Sequence, residues 1–230
     1  MLSHTNEQGA PIIVIMGPPG SGKGTQGDLL EHNGVLKKVS TGDILRSHVK
    51  RGTDLGKKVS AIIDAGKFVS DEILAELVEC ELNSLSKTPV LLDGYPRNEK
   101  QAKNFGQSKA FSRLIKVIFL SVSKDFLVKR LLGRLVCSSC GTTFHLKSLP
   151  PKLDGLCDGC GGDLISRNDD AKEIVERRLV QYEKETEPLL NYYNKLGLLE
   201  TVDGRSDPKE VYVEIMSKIN KITKNHRSTG

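Results

Sequence analysis

Residues 11–25 read PIIVIMGPPGSGKGT, a short apolar, β-branched run that empties into a glycine-rich loop ending in lysine and threonine. Such a run is a strand buried on both faces, and strands of that kind belong to parallel sheets covered by helices. Gly17, Gly20 and Gly22 permit a tight wrap in which successive backbone N–H groups point inward. The helix expected over 23–32 adds its positive N-terminus, so the segment is an anion site from which Lys23 can reach further phosphates. The spacing G-x-x-x-x-G-K matches the loop that cradles a nucleoside triphosphate, with one departure: Gly24 follows the lysine and the hydroxyl comes one place later, on Thr25. Dinucleotide binding is the weaker reading. It needs G-x-G-x-x-G and an acid about 20 residues on, where this chain has GPPGSGKG and a second strand ending in Ser40 and Thr41.

Further buried strands are predicted over 37–40, 89–94, 113–122 and 198–202, separated by helical stretches, which is the alternation of an α/β parallel sheet. Two connections are longer than one crossover helix requires. Residues 41–88 hold three helical patterns, and at 135–165 periodicity gives way to glycine, serine, proline and cysteine. Both read as inserts on one core. After the second, a helix is expected from about Asp169 to Glu187, where Pro188 kinks or interrupts it. The final helix has Asp207 as N-cap, Pro208 at N1 and Glu210 placed to close a capping box ahead of Val211, Ile215, Met216 and Ile219.

The 230 residues suffice for a substantial core, and a formal charge of +5 favours anionic ligands without marking a nucleic-acid binder. Neither a signal peptide nor an uninterrupted apolar span is visible, so the expected location is cytoplasmic, with no membrane partner. Cys137, Cys140, Cys157 and Cys160 form two C-x2-C knuckles 16 residues apart. Without an export signal that spacing indicates metal before disulfides; four thiolates make a closed tetrahedral zinc site with no open catalytic position, and iron is the chemical competitor. A nucleic-acid ribbon also uses four cysteines, but GTTFHLKSLPPKLDGL between the knuckles has two lysines, no arginine and a single aromatic ring of the Phe, Tyr or Trp kind, a weak stacking platform. His145 is surplus to a four-cysteine site and reads as facing nucleotide or solvent, while Cys80, in VECEL, reads as a buried helix cysteine.

Asp93 closes the strand PVLLDG, where a carboxylate can hold Mg2+ or its water shell, although an Asp there also serves as turn former or helix cap. Arg46, Arg97, Arg130, Arg134, Arg167 and Arg178 flank the insert boundaries. That is enough for two anionic clamps, which a kinase needs and a phosphate-loop hydrolase does not.

The stretches GPPGSGKGT, STGDILR (40–46), GKFVSDE (66–72), LLDGYPRN (91–98) with Gln101, KRLLGR (129–134), CSSCG with CDGC, SRNDD (166–170) and ERRL (176–179) follow one another as in adenylate kinases of the long, zinc-containing bacterial type. The chain closely resembles that family from about residue 11 to the final helix. The resemblance implies a phosphate-loop nucleoside monophosphate kinase fold: a five-stranded parallel sheet flanked by helices, with core segments 1–40, 71–134 and 166–230, a monophosphate-binding insert at 41–70 and a zinc-binding lid at 135–165. It implies reversible transfer from MgATP to AMP giving two ADP, in a cytoplasmic monomer without a nucleic-acid partner. Gly20, Ser21, Gly22, Lys23, Gly24 and Thr25 would wrap the ATP phosphates, with Thr143, Phe144 and the backbone near Arg205 approaching base or ribose. Thr41, Arg46, Lys67, Phe68, Val69, Gly94, Tyr95, Pro96, Arg97 and Gln101 would bind AMP, Arg178 would reach its phosphate, and Arg130, Arg134 and Arg167 would neutralise the transferred group from the lid side. A pyrimidine monophosphate is the alternative acceptor. Thr41 speaks for AMP, since pyrimidine-directed relatives typically carry alanine there.

Overall fold

The computed structural model describes residues 9–64 and 69–225. In chain order its elements are β1 (Ile12–Met16), α1 (Lys23–His32), β2 (Lys37–Ser40), α2 (Thr41–Lys50), α3 (Asp54–Asp64), α4 (Asp71–Ser84), β3 (Val90–Asp93), α5 (Glu99–Gln107), β4 (Leu114–Ser121), α6 (Lys124–Leu132), β5 (Arg134–Cys137), β6 (Thr143–His145), β7 (Leu164–Ile165), α7 (Lys172–Gln181), α8 (Pro188–Lys195), β8 (Leu199–Asp203) and α9 (Pro208–Asn225).

Every residue of β1 and β3 is buried, as their apolar runs require. The five-stranded sheet has the order β2-β3-β1-β4-β8 with all neighbours parallel, so the strand feeding the phosphate loop is central and Ile15 lies beside Asp93. Side chains alternate between faces. Ile12, Val14 and Met16 enter a core with Leu74, Val78 and Leu82 of α4, Phe105 of α5, and Leu189 and Tyr193 of α8. Ile13 and Ile15 meet Leu30 of α1 and Val211, Ile215 and Ile219 of α9. Fully burying one such aliphatic side chain contributes about 1.5–3 kcal/mol, so both faces are strongly held.

Hydroxyl, amide and carboxylate caps start the helices where the sequence changes period. Ser40 accepts from the Asp43 N–H (3.3 Å), Ser70 from Ile73 (3.4 Å), Asn98 from Gln101 (2.8 Å) and Asp207 from Lys209 (2.8 Å). In the first insert, α2 and α3 meet at Gly56, where a Cβ would sit 2.2 Å from the His48 carbonyl oxygen. The second insert carries an antiparallel sheet of order β6-β5-β7.

Three local expectations are corrected. Helix α7 begins at Lys172, because Asp169 and Asp170 occupy a short 3-10 turn and their carboxylates are taken by arginines. The interruption expected at Pro188 lies one turn earlier, as a π-turn over Tyr182–Thr186 in which the Glu187 N–H donates to the Tyr182 carbonyl (2.9 Å). Proline has no N–H with which to continue the α register, and the widened turn accommodates it. Cys80 is exposed: the inner stripe of α4 is Leu74, Val78 and Leu82, and position 80 falls off it.

Candidate active site

The loop between β1 and α1 lines a cavity of about 550 Å³. Gly20 has φ +82°, and a Cβ there would meet Leu131 Cγ at 2.9 Å and the Leu127 carbonyl at 3.1 Å, so α6 packs against the loop only because the residue is glycine. Lys23 folds back over the wrap, its Nζ donating to the carbonyls of Gly17 (2.7 Å) and Pro18 (2.9 Å). Burial pulls its pKa down to about 8; Asp93 opposes this, and Arg97, Arg178 and Arg134 add to it. Gly20 to Thr25 and Asp93 all line the cavity.

Facing the loop stand arginines held by two carboxylates. Arg134 grips Asp170 with a two-pronged fork (2.7 and 2.5 Å), Arg167 grips Asp169 likewise (2.8 and 2.7 Å), and Arg178 bridges to Asp169 (2.9 Å) and Asp170 (3.4 Å). Burial raises the Asp169 pKa, but attraction to Arg167 and Arg178 outweighs it and holds the carboxyl at about 2. Burial lowers Arg178 to about 10 against the pull of Asp169. The three guanidiniums are thus oriented before any phosphate arrives, in forks that match phosphoryl oxygens.

At the far end, Thr41 donates to the Gly94 carbonyl (3.0 Å), Arg97 Nε donates to the same carbonyl (2.8 Å), and Arg46 pairs with Asp43. Thr41, Arg46, Val69 and Gly94 to Arg97 all line the cavity. Lys67 and Phe68 lie outside the described residues. Gln101 is fully buried beside this end, not in the lining; its amide oxygen accepts from the Arg97 N–H (2.7 Å) and its amide nitrogen donates to Asp71 (2.7 Å).

Toward the second insert, Arg130 donates to the carbonyls of Gly204 (2.6 Å) and Arg205 (3.1 Å), tying α6 to the loop before α9. Arg205 itself pairs with Asp203 (2.6 Å). Thr143, Phe144, His145 and Gly204 to Pro208 complete the wall, although the Phe144 ring is buried with Cys137 and Cys157 in a small core of its own. His145 stands apart from the sulfurs: its Nδ1 accepts from the N–H groups of Lys147 and Ser148 (3.0 and 3.1 Å).

Among the lining residues that sequence reasoning missed are Gln26 and Tyr182. Gln26 Oε1 and Tyr182 Oη are buried without a hydrogen-bond partner, and both residues border the cavity, as does His145, which was read as facing nucleotide or solvent. An unpartnered buried polar atom costs about 1–3 kcal/mol, so its presence at a cavity wall marks a place where a ligand or water completes the bond. Gln26 follows Thr25 directly and was the one of these legible from its position; Tyr182 is brought in by the π-turn, which no local pattern announces.

The four cysteine sulfurs lie within 4.8 Å of one another, with Cys137 to Cys160 at 3.5 Å and Cys140 to Cys157 at 3.6 Å. A tetrahedron with zinc–sulfur bonds of about 2.3 Å has edges of about 3.8 Å, so the spacing of this donor set is compatible with that ion. All four are free thiols, in keeping with the expectation of metal before disulfides.

The family model described as adenylate kinase matches residues 15–198. The adenylate kinase of Caldanaerobacter subterraneus subsp. tengcongensis is 44% identical over 207 residues, covering 88% of this chain and 93% of that protein. Those of Carboxydothermus hydrogenoformans (42% identical, 91% and 99% covered) and Methanothrix thermoacetophila (40% identical, 91% and 98% covered) match over nearly the same span. With the central phosphate loop, the arginine forks and matches that run across almost the whole chain, this protein belongs to the adenylate kinase family.

Proposed function

We propose that the cavity holds both nucleotides of the family reaction at once, ATP phosphates on the loop of residues 20–25 and AMP between Thr41, Arg46 and Arg97. The reaction is that of an ATP:AMP phosphotransferase: an AMP phosphate oxygen bonds to the γ-phosphorus of ATP as the bond to the β-phosphate oxygen breaks, giving two ADP. The observation that carries the two-site assignment is a single cavity lined by the phosphate loop with Lys23, by Arg46 and Arg97, and by Arg134, Arg167 and Arg178.

The attacking oxygen is already ionised and needs no general base, so this chain's residues align donor and acceptor and balance spreading negative charge. Arg97 and Arg178 orient the acceptor phosphate; Lys23, Arg130, Arg134 and Arg167 meet the transferred group. The segments 41–70 and 135–165 act as mobile covers on the core formed by 1–40, 71–134 and 166–230, excluding water that would otherwise accept the phosphoryl group. Lys50 Nζ already reaches the Ser138 carbonyl at 2.7 Å, joining the two covers. Mg2+, held through Asp93 and water, would neutralise the ATP phosphates. Zinc on Cys137, Cys140, Cys157 and Cys160 would be structural, since four sulfurs leave no position for substrate. Thr143, Phe144 and the backbone at Arg205 would approach the ATP base or ribose.

The chain acts as a cytoplasmic monomer without nucleic-acid or membrane partners; among the described residues no helix is long and apolar enough to cross a membrane. A coupled assay with MgATP and a panel of monophosphates tests the acceptor, with AMP expected to be preferred. Equal efficiency with UMP or CMP would overturn the AMP pocket, and light scattering that gives a dimer mass would overturn the monomer.

A further inference from the structure

Gln101 is fully buried, and the chemistry of its two partners settles how its amide is turned. The Arg97 backbone N–H can only donate, so the atom 2.7 Å away is the amide oxygen. The Asp71 carboxylate can only accept, so the atom 2.7 Å from its Oδ1 is the amide nitrogen. The opposite orientation would set donor against donor at one end and acceptor against acceptor at the other. Asp71 is itself fixed: its Oδ1 also accepts from Asn98 Nδ2 (2.8 Å), its other oxygen faces Lys100 Nζ at 4.0 Å, and Asn98 Oδ1 is held by the Gln101 N–H (2.8 Å). Asp71 opens α4 just past the 41–70 insert, whereas Gln101 and Asn98 start α5, so the lock spans two elements that the sequence separates by 30 positions.

We propose that Asp71 is a positioning residue that sets base specificity by holding the Gln101 amide in one orientation. The proposal rests on the assignment of Gln101 to the AMP base. The bonds to Arg97 and Asp71 use one lone pair of Oε1 and one hydrogen of Nε2; the second lone pair and second hydrogen are those a base meets, in a fixed left-to-right order. Adenine offers a 6-amino donor beside an N1 acceptor, and a 6-oxopurine offers the reverse, an acceptor beside an N1–H donor. An amide free to turn would serve either base, whereas a locked amide leaves buried polar atoms unpaired against the 6-oxopurine.

The experiment compares kcat/KM for AMP and IMP in the full-length enzyme and in Gln101→Ala, Asp71→Ala and Asp71→Asn. Asp71→Ala is expected to narrow the AMP preference at least fivefold, with KM for MgATP within twofold of wild type. Asp71→Asn keeps an oxygen able to accept both bonds and is expected to retain the preference, which a role based on negative charge would not allow. Parallel loss of both activities in Asp71→Ala, with the ratio kept, overturns the proposal alone, provided Gln101→Ala removes the preference. A ratio unmoved in Gln101→Ala overturns the base contact and the proposal with it. Should Asp71→Ala fail to fold, exchange of the wild-type Gln101 side-chain amide protons, assigned by their absence in Gln101→Ala, decides: slow exchange supports the lock, and exchange as fast as in an exposed glutamine overturns it.

Discussion

Raising the pH from about 7 to about 9 is expected to weaken MgATP binding about tenfold, because Lys23 loses its proton across that range. Burial lowers its pKa from 10.5 to about 8, and bound phosphates favour only the ammonium. If binding requires that ammonium, apparent affinity follows the protonated fraction, which is about 0.9 at one unit below the pKa and about 0.1 at one unit above it. The ATP phosphates are fully ionised across this window, and burial pushes the His145 pKa down and out of it. Titration calorimetry from about pH 7 to about pH 9, in buffers of differing ionisation enthalpy, reads both the affinity and the proton taken up. In Lys23→Arg the guanidinium stays charged and the dependence should vanish, whatever the absolute affinity. Affinity that is flat in the wild type, or that falls equally in Lys23→Arg, would refute the reasoning.

The same shift has a stability consequence of opposite sign. With a folded pKa below the unfolded value, the unfolded chain binds more protons between about pH 8 and about pH 10.5, so stability rises with pH across that window. Below it the native state carries an unfavourable contribution of at most about 3 kcal/mol from burying the ammonium, to which the neighbouring arginines add. Lys23→Met should therefore melt no lower than wild type at neutral pH while turnover collapses.

Arg134→Lys, which cannot reproduce the fork to Asp170, is expected to lower kcat at least tenfold, because one point charge replaces two fixed donors; a kcat within twofold would argue against its role at the transferred group. Protein purified anaerobically should contain one zinc per chain, and chelation or Cys157→Ser should lower the melting temperature by several degrees, since metal bound only by the native sulfurs is linked to folding. Metal analysis that finds none would overturn this. Ile215→Ala, fully buried between α9 and the sheet, should cost about 2–5 kcal/mol by urea unfolding and leave both KM values unchanged.

What could be read from the sequence was whatever a single local pattern encodes. The strands at 11–16 and 89–94 came through because burial on both faces writes a continuous apolar run; those at 37–40 and 198–202, expected as buried too, are the half-exposed edges β2 and β8, and only their place in the alternation of strand and helix marked them, while the cysteine knuckles came through because metal chemistry fixes their spacing. What the sequence withheld arises only when distant segments close on each other. Asp169 and Asp170 looked like the first turn of a helix; the approach of Arg134 and Arg178 makes them clamps. Gln101 looked like a free amide for a base, and its partners Arg97 and Asp71 come from a loop and another helix. Arg113 illustrates the converse, an arginine buried in the fold whose guanidinium holds the carbonyls of Ala10, Leu82 and Leu85 and faces no ligand. Local sequence does not distinguish it from Arg130.

The distribution of charge ties fold to function more tightly than its total does. Among the described residues, nine lysines and arginines and four aspartates border the cavity, an excess that matches the +5 formal charge of the chain. A protein that used the same charge to follow a nucleic-acid backbone would spread it along an open face. Here it converges on one cavity, to which the magnesium complex of ATP and AMP would bring about −2 each. Asp169 and Asp170 hold Arg134, Arg167 and Arg178 at nitrogen–oxygen distances of 2.5 to 3.4 Å. The phosphates then meet donors already oriented, so most of the ordering cost of a multi-arginine clamp is met during folding and little remains at the moment of transfer.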